Sequence, residues 1–143
     1  MKLKLLFIMS FFCVFCNTLI AQSDFQGEII KQCVALPELQ KKIPSEIIQN
    51  GKEILILNKT LNFTFKRDLN VNNKLVLLVS EQGLVSKKET SYFVFDTISL
   101  DGNKSTAVYS FVYQNNNKEI VVPVHLLLEK DADKWKVVNS KID

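Results

Sequence analysis

The sequence is poor in the residues on which several classes of site depend. Its 143 residues include only four Gly, three Pro, three Cys and one His. Four Gly are too few for a glycine-rich loop that cradles a phosphate, and three Cys exclude a disulfide-dense scaffold. One His and so few Cys, in no ligand spacing, argue against zinc, which needs three or four N, S or carboxylate ligands. We therefore expect neither a cofactor nor a metal.

The chain also has little excess of positive over negative charge. The chain carries 18 basic and 15 acidic side chains, a net charge of +3. That surplus is too small for the electrostatic footprint of a nucleic-acid-binding protein, so no nucleic-acid partner is expected. Hydrophobic residues, in contrast, make up 47% of the chain. This content excludes a disordered protein, and the length suits one domain.

The first 21 residues have the three-part pattern of a secretory signal. Lys2 and Lys4 form a basic start, residues 5–16 are almost entirely apolar, and a more polar exit ends at Ala21. The apolar run is about 12 residues, whereas a membrane-spanning helix needs roughly 20. We expect an exported protein, periplasmic or extracellular, with a signal peptide over 1–21 and one domain over 22–143. The mature chain should have no membrane span, and an uncleaved anchor is the alternative.

Removal of the signal peptide would change the net charge and the number of cysteines. Lys2 and Lys4 would leave, so 16 of the 18 basic side chains would remain against 15 acidic ones, a net charge of +1. Two of the three Cys would also leave. Cys33 would then be a lone thiol without an intrachain disulfide partner. Such a thiol is typically buried as a small hydrophobic group, and a reactive nucleophile or an intermolecular bridge are the alternatives.

The beginning of the mature domain has helical signals. Asp24 could cap a first helix with four apolar side chains on one face: Ile29, Ile30, Cys33 and Val34. Pro37 suits the first turn of a second helix, because proline is tolerated there, and Pro44 interrupts the pattern again. We therefore expect one or two short helices before residue 50.

Extended patterns follow from residue 52 onward. Residues 53–58 and 74–80 are short apolar runs, and apolar residues alternate with polar ones over 61–65, as in a half-buried strand. Polar residues 68–73 indicate a loop. Residues 81–89 indicate a loop or a short helix.

Four longer strand-like runs complete the chain: 92–100, 105–114, 119–130 and 134–142. Short polar turns separate them, which favours antiparallel neighbours and a four-stranded meander. Pro123 lacks an N–H, which predicts an edge strand or a bulge at that position. Together these elements predict an α+β fold. One or two N-terminal helices would pack on a twisted antiparallel sheet that ends in the four-stranded meander.

Aromatic residues in the last strands are the candidate ligand-binding residues. Tyr109, Phe111 and Tyr113 share one strand face, and with Trp135 they could line an apolar pocket. Ordinary core packing is the alternative for all four. Two further residues are candidate catalytic bases.

Those two residues are Asp96, an acid inside an otherwise apolar strand, and His125, the lone imidazole. A buried carboxyl group has a raised pKa and can act as a base, and an imidazole can do so near neutral pH. For both residues the alternative is a side chain that simply faces water.

A resemblance is carried by the last third of the chain. Residues 104–113 (KSTAVYSFVY), the strand 120–130 ending in Glu-Lys, and an acidic turn followed by KWKVV form its pattern. This stretch resembles the C-terminal strands of small secreted bacterial NTF2-like and cystatin-like α+β domains of uncharacterised function. The resemblance implies an α+β fold. It brings no catalytic residue to this chain.

Three functional hypotheses fit these observations. The first is an exported, non-catalytic binding or accessory domain, whose partner is a protein or a small apolar ligand. The second is a small pocket enzyme of NTF2-like type, with Asp96 or His125 as base and a tyrosine hydroxyl as hydrogen-bond donor. The third is a protein inhibitor or immunity factor. The enzyme hypothesis requires one of these bases in a cavity, within hydrogen-bond reach of Tyr109 or Tyr113.

Overall fold

A computed structural model describes residues 25–61 and 68–143, without the side chains of residues 48–50. The predicted signal peptide, the possible cap at Asp24 and most of the predicted strand over 61–65 lie outside the described residues.

Three short helices open the described chain. They are α1 (residues 25–34), α2 (Pro37–Lys42) and α3 (Ser45–Asn50). Pro37 is the first residue of α2 and Pro44 caps α3, because a proline that breaks the preceding turn is pre-organised to begin the next. The apolar face predicted for the first helix is confirmed, since all four of its residues are buried. The three helices together form one bent helical arm.

Seven strands follow in a single sheet. They are β1 (Glu53–Leu57), β2 (Leu69–Val71), β3 (Lys74–Val79), β4 (Ser91–Asp101), β5 (Lys104–Asn115), β6 (Lys118–Asp131) and β7 (Lys134–Ile142). One further helix, α4 (Glu81–Lys87), joins β3 to β4. The strand order is β2-β3-β1-β4-β5-β6-β7. β1 runs parallel to both β3 and β4, and every other neighbouring pair is antiparallel.

The predicted α+β fold class was wrong. The described chain is mostly β, with a mixed seven-stranded sheet curled into a half-barrel and one bent helical arm. The four strand-like runs predicted between residues 92 and 142 correspond to β4–β7, but these strands are only part of the sheet. The sequence pattern favoured local antiparallel hairpins, whereas β1 pairs in parallel with strands that are distant along the chain. The polar stretch 68–73, interpreted as a loop, contains β2 and its turn.

Two bulges contribute to the curl of the sheet. The register of β4 against β5 skips Asp96, and the register of β7 against β6 skips Val138. An extra residue in one strand bends that strand and increases its twist. Both extra residues are exposed.

The prediction for Pro123 was wrong for the strand as a whole, and no bulge lies at this position, but the residue does lie at a local edge, because β7 pairs with β6 only over residues 124–131. β6 lies between β5 and β7, and Pro123 pairs in register with Ser110. The Pro123 carbonyl accepts a 3.2 Å hydrogen bond from the Asp143 N–H. Its ring nitrogen therefore faces the same side, just beyond the last paired residues Val124 and Ile142. Because the regular pairing of β6 with β7 ends there, the missing N–H removes no hydrogen bond from within the paired region.

The sheet has an inner and an outer face. The inner face carries Phe93, Phe95 and Tyr109, and it packs against α1–α3 in the main core. The outer face carries Tyr92 and Val94 at its β1–β4 end, where α4 covers it through Leu84. α4 begins at Ser80, whose hydroxyl oxygen accepts a hydrogen bond from the Gly83 N–H and so caps the helix.

Candidate functional site

A cavity of about 120 Å³ lies between the helical arm and the inner face of the sheet. Most of its lining is apolar. The helical arm contributes Val34, Leu39, Ile43 and Ile47, and strands contribute Ile54, Leu55, Val71, Phe93 and Phe111. A concave apolar surface with a few polar groups at its edge is the usual form of a small-molecule site.

The cavity forms where the sheet is incompletely closed. β1 pairs with β3 along its whole length, from Glu53 to Leu57. With β4 it pairs only at Ile56–Phe93 and Leu57–Val94. The first half of β1 therefore diverges from the start of β4, and the bent arm covers the resulting gap only in part.

Polar residues surround the opening. The rim includes Gln40, Glu53, Asn72, Lys74 and Ser91. Gln40 Nε2 donates to the Val34 carbonyl at 3.5 Å. Glu53 Oε2 accepts from Lys87 Nζ at 2.9 Å, so this carboxylate links β1 to α4.

The candidate aromatic residues occupy the core rather than a common pocket. Tyr109, Phe111 and Tyr113 lie on the inner face and are almost fully buried, and Trp135 packs edge-to-face on Phe25 at 5.3 Å between ring centroids. Of these four candidates, Phe111 alone lines the cavity. Ligand binding by Tyr109, Tyr113 and Trp135 stays a prediction, and their surroundings are those of core residues.

Tyr109 joins the sheet to the helical arm. Its ring stacks on Phe95 at 5.0 Å between centroids, and its hydroxyl donates to the Cys33 carbonyl at 2.7 Å. Burial raises the pKa of the Tyr109 hydroxyl, and the nearby Cys33 thiol adds to that effect. A hydroxyl that stays protonated and already donates to a backbone carbonyl is not available to a ligand in the cavity.

Cys33 is a buried thiol with no disulfide. Burial raises its pKa well above the ordinary value of 9.0, and this effect outweighs a backbone hydrogen bond that lowers the pKa. Because the thiolate is the reactive form, this thiol is inert in the folded chain. The expectation of a small hydrophobic core group therefore agrees with its position.

Asp96 and His125 lie away from the cavity. Asp96 is the exposed bulge residue of β4, and His125 is exposed on the outer face opposite Val108. Neither comes together with the hydroxyl of Tyr109 or Tyr113, both of which belong to the inner face. The arrangement required by the enzyme hypothesis is not present at these residues.

A second, more open groove of about 510 Å³ runs along the outer face beside α4. Its lining includes the apolar residues Leu57, Leu84 and Val85 together with Tyr92, Gln114 and Glu119. Burial and then the negative charge of Glu119 raise the pKa of Tyr92. Tyr92 lines both this groove and the inner cavity, so it marks the place where the two approach each other through the sheet.

Within the described residues, no group of three or more His, Cys, Asp or Glu side chains could hold a metal ion. Over the same part of the chain, no helix has the length and apolar character needed to cross a bilayer. No protein family, curated protein or solved structure matched the chain.

Sequence reasoning missed most of the cavity. The arm residues Leu39, Ile43 and Ile47 belong to no long amphipathic helix, because Pro37 and Pro44 divide the arm into short pieces. The closely spaced prolines were the available signal, since they imply a bend that can arch over a sheet.

The buried Cys33 and Tyr109 predict a loss of stability at high pH. Both groups have raised pKa values in the folded chain, so the fold favours their neutral forms. The unfolded chain releases these protons near the ordinary values of 9.0 and 10.0. Their stabilising contribution is thus complete below pH 9 and declines as the pH rises further. Urea midpoints measured between pH 7 and 11 should fall above pH 9, and less steeply in Cys33→Val; a midpoint that stays constant would contradict this.

Proposed function

We propose that the chain is an exported, non-catalytic domain that binds a small apolar ligand in the cavity between the helical arm and the inner face of the sheet. The observation that carries the proposal is the apolar cavity itself, open at a polar rim. Export is supported by the signal-like pattern of residues 1–21.

The cavity volume limits the size of the ligand. An apolar cavity of about 150 Å³, engineered in another protein, stays dry and binds benzene. A volume of about 120 Å³ with an open mouth therefore suits a single aromatic ring or a short branched aliphatic group. The walls of Ile43, Ile54 and Phe93 supply the close contacts that such a group needs.

Binding is supported over catalysis by the position of the titratable groups. The rim carboxylate of Glu53 is paired with Lys87, and the candidate bases Asp96 and His125 are exposed elsewhere. The apolar interior can hold a ligand, but it places none of these groups against a reacting atom.

Filling the cavity should abolish binding of an apolar probe. Ile47 is half-buried in α3 on the cavity wall, and Ile47→Trp would direct a larger side chain into the space that the probe occupies. Toluene should bind the unsubstituted chain with a Kd on the order of 1 mM, given its seven heavy atoms. We expect Ile47→Trp to weaken that affinity at least about tenfold, or about 1.4 kcal/mol.

The measurement is a titration followed by NMR of isoleucine methyl groups. Toluene should shift Ile43, Ile47 and Ile54, which line the cavity, and leave Ile98 unshifted. Ile98→Trp is the matched control, because Ile98 is also half-buried on the inner face but lies outside the cavity lining. Toluene that binds Ile47→Trp as well as it binds Ile98→Trp would refute the proposed site.

A further inference from the structure

The cavity continues into the gap between β1 and β4. Its lining includes Ile54 and Phe93 from the inner face, but also Leu55 and Tyr92 from the outer face. Residues whose side chains lie on opposite faces can border one cavity where the strands between them are not paired. The gap is therefore part of the site, and strand backbone forms its edges.

The backbone groups at this gap follow from the strand register. The Asn58 N–H donates to the Val79 carbonyl at 2.9 Å, so the even-numbered residues of β1 face β3 and Leu55 faces β4. The Gln114 N–H donates to the Thr90 carbonyl at 3.1 Å, so Thr90 faces β5 and Ser91 faces β1. Leu55 and Ser91 thus face each other across the gap.

The backbone hydrogen bond between these two residues is not formed. Pairing of β1 with β4 begins at Ile56–Phe93, one rung after the position where the Leu55 N–H would donate to the Ser91 carbonyl. A donor on one edge and an acceptor on the other therefore open toward the apolar cavity. Backbone groups in such a place need a partner, because leaving them without one is costly once water is excluded.

We propose that the Leu55 N–H and the Ser91 carbonyl, which do not pair with each other, together recognise a carboxamide. The amide carbonyl of the ligand accepts from the Leu55 N–H, its N–H donates to the Ser91 carbonyl, and its apolar substituent fills the cavity. The N–H and C=O of an amide point in opposite directions, as the two facing edges require. A carboxylate offers only acceptors and an ammonium group only donors, so each would leave one edge unmatched.

This inference rests on the proposed function and names the chemistry of its ligand. It is tested with three probes that share one ring: toluene, acetophenone and benzamide. Acetophenone and benzamide have nearly the same shape, but only benzamide carries an N–H. A purely apolar cavity would bind benzamide more weakly than acetophenone, because benzamide is the better hydrated of the two.

We expect the unsubstituted chain to bind benzamide about fivefold more tightly than acetophenone, the contribution of one net hydrogen bond. Benzamide should also move the amide proton of Leu55 downfield in a ¹H–¹⁵N spectrum, and toluene should not. Equal affinities, or tighter binding of acetophenone, would overturn the amide assignment while leaving cavity binding intact. A failure of all three probes to shift the Ile43, Ile47 and Ile54 methyl groups would overturn the proposed function as well.

A pair of variants localises the effect. Leu55→Ala and Leu55→Pro both remove the leucine side chain, but only proline removes the N–H. Leu55→Ala should keep the preference for benzamide over acetophenone, and Leu55→Pro should reduce it to about one. If Leu55→Pro does not fold, the Leu55 amide shift in the unsubstituted chain decides the question, and its absence with bound benzamide refutes the contact.

Discussion

Phe95→Ala is expected to lower the free energy of unfolding by about 3–5 kcal/mol, the range found when a large buried aromatic side chain is truncated. Phe95 is only 1% exposed and lies at the centre of the inner face. Its ring stacks on Tyr109 at 5.0 Å between centroids. Truncation would leave a void beneath the helical arm, and the neighbouring strands cannot close it because the hydrogen-bond ladder fixes their spacing.

The measurement is urea denaturation followed by the fluorescence of Trp135, the one tryptophan of the chain. Val121→Ala is the control, because Val121 lies on the outer face of β6 and is 50% exposed. Its truncation should change the free energy of unfolding by no more than about 0.5 kcal/mol. A loss below about 1 kcal/mol in Phe95→Ala would show that the inner face is loosely packed.

The hairpin strands could be predicted because their pattern is local. In β5, the alternation of Ala107, Tyr109, Phe111 and Tyr113 with smaller or polar residues places one set on the inner face, and the structure has that arrangement. The turn residues Asn116 and Asn117 both adopt positive φ, which asparagine tolerates better than most residues and which a tight hairpin requires.

The first half of the sheet could not be predicted in the same way. β1 and β3 are short apolar runs, and a run of that kind carries no signal for its partner or direction. Their parallel pairing joins residues that are far apart along the chain, such as Glu53 with Leu75. The fold class was therefore wrong although many strand positions were close, because fold class depends on the pairing and not only on the strands.

The same reason explains why the sequence pattern indicated the aromatic residues rather than the other residues that line the cavity. Tyr109, Tyr113 and Trp135 are prominent in the sequence because they are large, and large apolar residues usually fill cores. The cavity arises instead from what is incomplete, a missing rung between two parallel strands and a helical arm divided by Pro37 and Pro44. The prolines leave a signal in the sequence, whereas the missing strand pairing leaves none.

Asp96 shows how a bulge can imitate a functional residue. An acid inside an apolar strand suggests a buried, perturbed carboxyl group if strict alternation is assumed. The register skips this residue, however, and turns both Asp96 and Thr97 to solvent. A break in alternation can therefore indicate a bend in the strand rather than a site.

Tyr109→Phe is expected to destabilise the fold by about 1–2 kcal/mol without disturbing the packing of the ring. The variant keeps the stacking on Phe95 but removes the donor to the Cys33 carbonyl. That carbonyl retains a longer contact of 3.4 Å from the Leu36 N–H, so the cost lies below that of a fully unpaired buried group. Tyr113→Phe is the matched control, since Tyr113 is buried on the same strand and makes no hydrogen bond through its hydroxyl within the described part of the chain.

The part of the chain in which stability is lost should distinguish a local role of this hydrogen bond from a general contribution to core packing. The Tyr109 hydroxyl links β5 by a hydrogen bond to α1, the helix that ends at Val34 on the cavity wall. Amide hydrogen exchange in Tyr109→Phe should therefore accelerate in α1 by about tenfold and much less in β5 and β6, because the arm can then open without the sheet unfolding. Toluene affinity should fall with it, since a less stably closed arm lowers the population of the binding-competent cavity. Uniform acceleration across arm and sheet would contradict a local role for the bond and would leave Tyr109 as one core side chain among many.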